Sequence, residues 1–145
     1  MLTDRVIPED LKGKIKILVV EDNPLNQKLA AFMLANWGFK HDICSNGKQA
    51  LERIRLNTYD LILMDIQMPE MDGYDTTRYI RTELELGLPI IAMTSQVVPG
   101  EREKCLVAGM NDYIEKPIKE EQLYNLIINY LFSTVVENIE NKHRV

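Results

Sequence analysis

Only two cysteines, Cys44 and Cys105, occur in the 145 residues. They stand far apart with no metal-ligand spacing, which leaves them as small core or surface thiols in a reducing compartment. Long hydrophobic runs are missing too. No apolar stretch approaches the ~20 residues of a membrane span, and no signal-peptide pattern opens the chain, so a cytoplasmic location is expected. Nor is there a dense basic run. The 17 lysines and arginines are outnumbered by 22 aspartates and glutamates, for a net charge of −5. Direct binding of nucleic acid by this chain is therefore not expected. Internal repeats and low-complexity tracts are absent as well.

What is present is an ordinary globular composition, 46% hydrophobic and 27% charged, at a length that suits one domain with a real core. The chain is arranged around Leu61-Ile62-Leu63-Met64-Asp65. Four apolar residues in a row read as a strand buried on both faces. A carboxylate at its end is costly unless it ionises at a rim or meets a cation. Pro69 and Gly73 then impose a loop, so Asp65 is expected at the carboxyl edge of a central strand, where open α/β sheets place their sites.

Upstream, residues 15–20 read as a β-branched strand. Asn23 or Asp22 can cap the following helix, with Pro24 in its first turn. Leu25, Leu29, Phe32 and Trp37 mark its expected buried stripe, and Gly38 its stop. Residues 39–44 read as a second strand, and Ala50, Leu51 and Ile54 as a short amphipathic helix. Downstream, Asp72 and Asp75 open a helix with Tyr74, Thr77, Ile80 and Leu84 inward. Residues 88–93 form a strand and residues 99–108 a helix with a thin stripe of Cys105 and Ala108. A short strand follows over 112–115, and Leu123, Ile127, Tyr130 and Leu131 define the last helix. Residues 1–14 read as a linker or lead-in, 15–132 as the folded domain and 133–145 as a solvated tail. Five strands alternating with five helices through short connections specify parallel strands and right-handed crossovers. The fold class is α/β, a doubly wound five-stranded parallel sheet.

In such a sheet every strand's carboxyl end lies on one edge. Glu21 and Asp22 gather there after the first strand, Asp65 after the third, Thr94 and Ser95 after the fourth, and Lys116 after the fifth. Three carboxylates at close range repel one another. A hard divalent cation and the Lys116 ammonium would relieve this, and Mg²⁺ fits best because one or two carboxylates plus waters and phosphate usually hold it. Nucleotide-binding folds place glycines at the first turn to cradle phosphate. Here Glu21-Asp22-Asn23-Pro24 stands instead, a turn suited to a cation and hostile to a bare anion. With a metal present, Asp65 becomes a candidate nucleophile toward a phosphoryl group. The metal and Lys116 would neutralise the transferring oxygens, and the Thr94 hydroxyl could donate to one of them.

The set Val20-Glu21-Asp22-Asn23, Met64-Asp65 through Asp72-Gly73, Thr94-Ser95 and Lys116-Pro117 resembles the receiver domain of two-component response regulators, from about Ile15 to Phe132. The resemblance implies a flavodoxin-like strand order 2-1-3-4-5 and a module working in a phosphorelay. By that likeness Asp65 would accept phosphate from a phosphohistidine. Glu21, Asp22 and the Gln67 backbone carbonyl would join Asp65 in holding Mg²⁺ (or Mn²⁺). Thr94 would be the switch hydroxyl, Lys116 the cation paired with the phosphoryl group, and Tyr113 the switch aromatic. The expected partners are a histidine kinase or histidine phosphotransfer protein as donor, and a downstream protein or domain on the face of the fourth helix, fifth strand and fifth helix. As a stand-alone module it would not be an enzyme beyond its own phosphorylation and dephosphorylation. His41 and His143 are not expected on helices with acidic neighbours, so the donor is expected to come from another protein or domain.

A narrower likeness is to receivers of hybrid sensor histidine kinases, through Leu11-Lys12-Gly13-Lys14 and Glu21-Asp22-Asn23-Pro24-Leu25-Asn26-Gln27. It would make this the cytoplasmic part of a membrane-anchored kinase, itself a phosphotransferase, against the alternative of a stand-alone regulator. Three other classes compete. A haloacid-dehalogenase-like phosphohydrolase wants a second Asp two residues after the nucleophile, where this chain has Gln67. A flavodoxin-like electron carrier is weakened by the acidic first turn. A degenerate receiver is at odds with the full acidic set.

Overall fold

The computed structural model describes residues 7–143, with side chains through residue 132. Five strands, β1 (Lys16–Val20), β2 (Lys40–Cys44), β3 (Leu61–Asp65), β4 (Ile90–Thr94) and β5 (Asp112–Glu115), form one parallel sheet in the order β2-β1-β3-β4-β5. β3 and β4 are buried along their whole length, while edge strand β2 buries only Cys44 fully. That contrast follows from the sequence: Leu-Ile-Leu-Met and Ile-Ile-Ala-Met have no polar side to show, and Lys40-His41-Asp42 does.

Six helices accompany the strands: α1 (Glu9–Lys12), α2 (Pro24–Trp37), α3 (Gly47–Leu56), α4 (Gly73–Thr82), α5 (Glu101–Ala108) and α6 (Glu120–His143). On one face of the sheet, Ala30, Met33 and Leu34 of α2 meet Leu123, Ile127 and Leu131 of α6 over Ile17, Val19, Leu61 and Leu63. On the other, Ala50 and Leu51, Ile80, and Cys105 and Ala108 from α3, α4 and α5 cover Leu18, Val20, Ile62 and Met64. The starts of α2, α3 and α4 are fixed by side-chain caps. Asn23 accepts from Leu25 and Asn26 N–H, Asn46 from Gln49 N–H, and Asp72 from Asp75 N–H. Gly38 and Gly109 end α2 and α5 at φ 92° and 105°, which a side chain would resist.

Two expectations need correction. The expected inward stripe of α2 faces water: Leu25, Leu29 and Phe32 are 66%, 52% and 65% exposed. The helix is apolar on two faces, and Ala30, Met33, Leu34 and Trp37 form an equally regular i, i+3, i+4, i+7 set that the core takes instead. The helix count among the described residues is also six rather than five. Within the segment read as a lead-in, α1 packs between α2 and α6 with Ile7 and Lys12 buried. Lys12 donates to the Tyr124 hydroxyl at 3.0 Å and lies over the Tyr124 and Phe39 rings. A lysine can be buried this way because aromatic faces replace part of its hydration. Residues 1–6 and the side chains of the tail read over 133–145, His143 among them, lie outside the described residues; the backbone of α6 continues through that tail to His143.

Candidate functional site

Register explains how residues remote in sequence meet at one rim. β1 pairs with β3 and β3 with β4, so Val20 lies beside Met64 and Asp65 beside Met93. By strand alternation Glu21, Asp65 and Lys116 continue the series of Val19, Leu63 and Ile114, which faces α2 and α6. All three thus emerge from the same side of the sheet at its carboxyl edge. Gly73 is what allows the loop after Asp65 to fold back so closely. A Cβ there would press into the Asp65 carbonyl and stand 2.9 Å from the Ile66 Cα.

The structure brings Glu21, Asp22, Asp65 and Lys116 together. A carboxylate oxygen from each of the three acids lies within 4.8 Å of the others. Glu21 and Asp65 are 1% and 2% exposed, whereas Asp22 is open to solvent. The Lys116 ammonium sits 2.6 Å from Glu21 Oε1 and 3.2 Å from Asp65 Oδ1. It holds Glu21 more tightly than the expected partner Asp65. Neither oxygen is met along a hydrogen-bonding direction, so these are ion pairs of charge more than of geometry.

Burial first, and then the neighbouring Glu21 charge, push the Asp65 carboxyl up to about 7 against the opposing pull of Lys116. Burial pulls the Lys116 ammonium down, but the close approach and negative charge of Glu21 and Asp65 outweigh it and leave Lys116 raised. One ammonium therefore serves two buried carboxylates, with the exposed Asp22 beside them. Two buried oxygens without a well-aimed donor, within a cluster of hard oxygen ligands, fit a divalent cation of the Mg²⁺ kind.

Thr94 ends β4 fully buried, yet its register partner series places it with Ala92 on the opposite face from Asp65. Its hydroxyl donates to the Gln96 carbonyl at 2.9 Å and accepts from the Gln67 side chain and the Gln96 N–H, each at 3.2 Å. Gln67 is thus tied to Thr94 through its amide, a contact that motif reading did not supply. Tyr113 pairs with Ala92, two positions below Thr94 on the neighbouring strand, and its half-buried ring packs on that same face. His41 lies near the start of β2, away from the rim.

Two further contacts were not legible in the motifs. Gln27 donates to the Glu21 carbonyl at 2.6 Å and to the Ser45 hydroxyl at 3.1 Å, bracing the first loop against the second. Tyr74 donates to Glu101 Oε1 at 2.6 Å, joining the starts of α4 and α5. The i, i+4 placement of Gln27 after Asn23 could have hinted at the first. Nothing local could have revealed the second, which joins residues 27 apart.

The family model for the response regulator receiver domain matches residues 17–128. Signal transduction histidine-protein kinase BarA of Escherichia coli K12 is 41% identical over 125 residues, covering 86% of this chain and 14% of that protein. Autoinducer 2 sensor kinase/phosphatase LuxQ of Vibrio vulnificus YJ016 is 39% identical over 124 residues, covering 85% and 14%. The chain therefore spans about one seventh of these relatives (14% of each). Among solved structures, the receiver domain of sensor histidine kinase PA1611 from Pseudomonas aeruginosa PAO1, with a magnesium ion coordinated in its active site cleft, is 42% identical. It superimposes with a TM-score of 0.74 over 81% of this chain and 97% of that one. Both kinds of likeness run through the stretch that supplies the acidic rim and its lysine, and the chain belongs to the response regulator receiver domain family, a module of two-component systems.

Proposed function

We propose that Asp65 is the phosphoacceptor of this receiver, taking a phosphoryl group from a phosphohistidine of a histidine kinase or histidine phosphotransfer protein. An Asp65 carboxylate oxygen attacks phosphorus, the P–N bond to the imidazole breaks, and the imidazole leaves with that electron pair and takes up a proton. The product is an acyl phosphate. The observation that carries this reading is Asp65 itself, a buried carboxylate at the end of β3 sharing Lys116 with Glu21. With its carboxyl near 7, Asp65 is partly protonated at neutral pH and a poor nucleophile until positive charge is added beside it.

Mg²⁺ (or Mn²⁺), held by Glu21, Asp22, Asp65 and the Gln67 backbone carbonyl, would supply that charge and neutralise the oxygens of the transferring group. Lys116, already at ion-pair distance from Asp65, pairs with the acyl phosphate once formed. The Thr94 hydroxyl leaves its bonds to Gln96 and Gln67 and donates to a phosphoryl oxygen. The space it vacates admits the Tyr113 ring, which alters the face formed by α5, β5 and α6 (the expected fourth helix, fifth strand and fifth helix) for a downstream partner. The donor docks on the solvent-facing stripe Leu25, Leu29 and Phe32 of α2. That helix starts directly after the metal-site turn, and three large apolar side chains in water ask for an apolar helix as partner.

The relatives support a hybrid sensor histidine kinase as parent, and with it a cytoplasmic place; among the described residues no helix is long and apolar enough to cross a membrane. By itself the module turns over nothing but its own phosphate. Incubation with acetyl phosphate and Mg²⁺ should add one phosphoryl group by intact mass, lost in Asp65→Ala and in excess chelator. An unmodified parent protein, or an Asp65→Ala variant modified to the same extent, would overturn the assignment.

A further inference from the structure

Tyr74 and Glu101 are both more than nine-tenths buried, and their hydrogen bond at 2.6 Å is of the short, charge-assisted kind. Burial and the Glu101 carboxylate both push the Tyr74 hydroxyl pKa upward, which keeps it a donor. The Lys104 ammonium lies 5.3 Å from the Tyr74 ring centre and adds to the same contact. What makes the pair more than core packing is where each end is rooted.

Tyr74 follows Gly73, whose backbone is pressed onto the Asp65 carbonyl. It therefore stands one residue from the turn that folds back onto the backbone of the phosphoacceptor. Glu101 is the first residue of α5, and the segment 95–100 runs between it and Thr94 with no strand or helix of its own. That segment is held at one end by the Thr94–Gln96 bonds and at the other by Tyr74–Glu101. Between this segment and the loop after Asp65 lies an open groove of about 550 Å³, with Gln67, Met68, Gln96 and Val98 along it and Tyr74 and Glu101 among its walls. When the Thr94 hydroxyl releases Gln96 and turns to a phosphoryl group, the segment loses the tie at that end and can shift across this groove. With Glu101 fixed, six residues must absorb the whole displacement.

We propose that Tyr74 is a positioning residue of the receiver, which through Glu101 anchors the segment 95–100 in its resting arrangement and so limits the rate at which Asp65 is phosphorylated. This rests on the assignment of Asp65 above. The anchor acts by raising the free energy of the displaced segment relative to the resting one, so its removal enlarges the population able to engage the phosphoryl group. Tyr74→Phe removes the donor and keeps the ring, while Glu101→Gln keeps an acceptor oxygen for Tyr74 and serves as the conservative control.

The test pairs amide hydrogen exchange in unphosphorylated, chelator-treated protein with the rate of phosphorylation by acetyl phosphate and Mg²⁺. In Tyr74→Phe, exchange at residues 96–101 should rise about fivefold or more while β1 and β3 stay protected, and phosphorylation should quicken by about threefold or more. Glu101→Gln, which keeps an acceptor but loses the charge, should fall between the parent and Tyr74→Phe in both. Combining Tyr74→Phe with Glu101→Ala should add nothing to Glu101→Ala alone. A lowered melting temperature with an unchanged rate would reduce Tyr74 to packing and overturn the proposal, as would unchanged exchange at 96–101. If the parent takes no phosphate, the assignment of Asp65 falls and the rate effect falls with it. The exchange measurement, which needs no phosphate, then decides separately whether the anchor exists.

Discussion

Asp65 carries two conflicting demands, burial at the end of β3 and charge for chemistry, and its proton affinity records the conflict. Its folded-state value near 7 lies above the ordinary carboxylate value, so the folded protein binds this proton more tightly than the unfolded chain. The sign follows from linkage: stability falls as pH rises from about 4 to about 7, and the loss is complete above that window. Lys116 is raised as well, because its two acidic neighbours outweigh the effect of burial on the ammonium. Its raised value favours the fold up to the ordinary lysine range and fades only above it. In metal-free buffer, urea melts of the parent should lose on the order of 2 kcal/mol between pH 4 and 7 beyond the loss seen in Asp65→Asn. Parallel pH profiles for the two proteins would contradict the assignment of strain to this carboxyl. Gly73 poses a purely steric question beside it. Gly73→Ala must move the backbone at Asp65 or Ile66, and a loss of about 2 kcal/mol or more is expected on denaturation; a loss within about 0.5 kcal/mol would mean that the loop has slack.

At the scale of elements, α2 shows how a helix can satisfy two partners. One apolar stripe faces the sheet and the other faces solvent beside the rim. Replacing Leu29 and Phe32 by Ser should leave the melting temperature nearly unchanged, since neither side chain is buried. The same double variant should slow phosphoryl transfer from a phosphorylated histidine donor at least tenfold, while the rate with acetyl phosphate, which needs no docking face, stays as in the parent. Equal loss with both donors would place the defect in the site and remove the docking role. Helix α1 makes the complementary case, a polar residue serving as core. Lys12 lies between Tyr124 and Phe39 with Glu9 at 3.3 Å, so Lys12→Ala should cost about 1–2 kcal/mol, read from the chemical denaturation midpoint.

Over the whole molecule, what could be read from sequence divides along a physical line. Strands β1, β3 and β4 declare themselves because both faces are buried and the apolar run has no alternative use. The meeting of Glu21, Asp22, Asp65 and Lys116 follows once strands are parallel, because chain direction alone sends all their carboxyl ends to one edge. The buried face of α2 could not be read, because two apolar stripes on one helix satisfy the same periodicity and only tertiary packing chooses between them. Nor could Lys12 be assigned to the core, because a lysine is counted as solvated until aromatic partners remote in sequence are found. The Thr94 hydroxyl likewise depends on Gln67 and Gln96, loop contacts that no period encodes.

All of this rests on an acidic cluster that the fold tolerates at a cost and that a cation offsets. The direct measurement is the melting temperature of the parent and of Asp65→Asn, each in excess chelator and in millimolar Mg²⁺. In chelator the Asn variant should melt higher than the parent, because the buried charge is gone. Mg²⁺ should raise the parent by several degrees and leave the variant close to where it was. A parent that outlasts the variant in chelator and ignores Mg²⁺ would contradict the account.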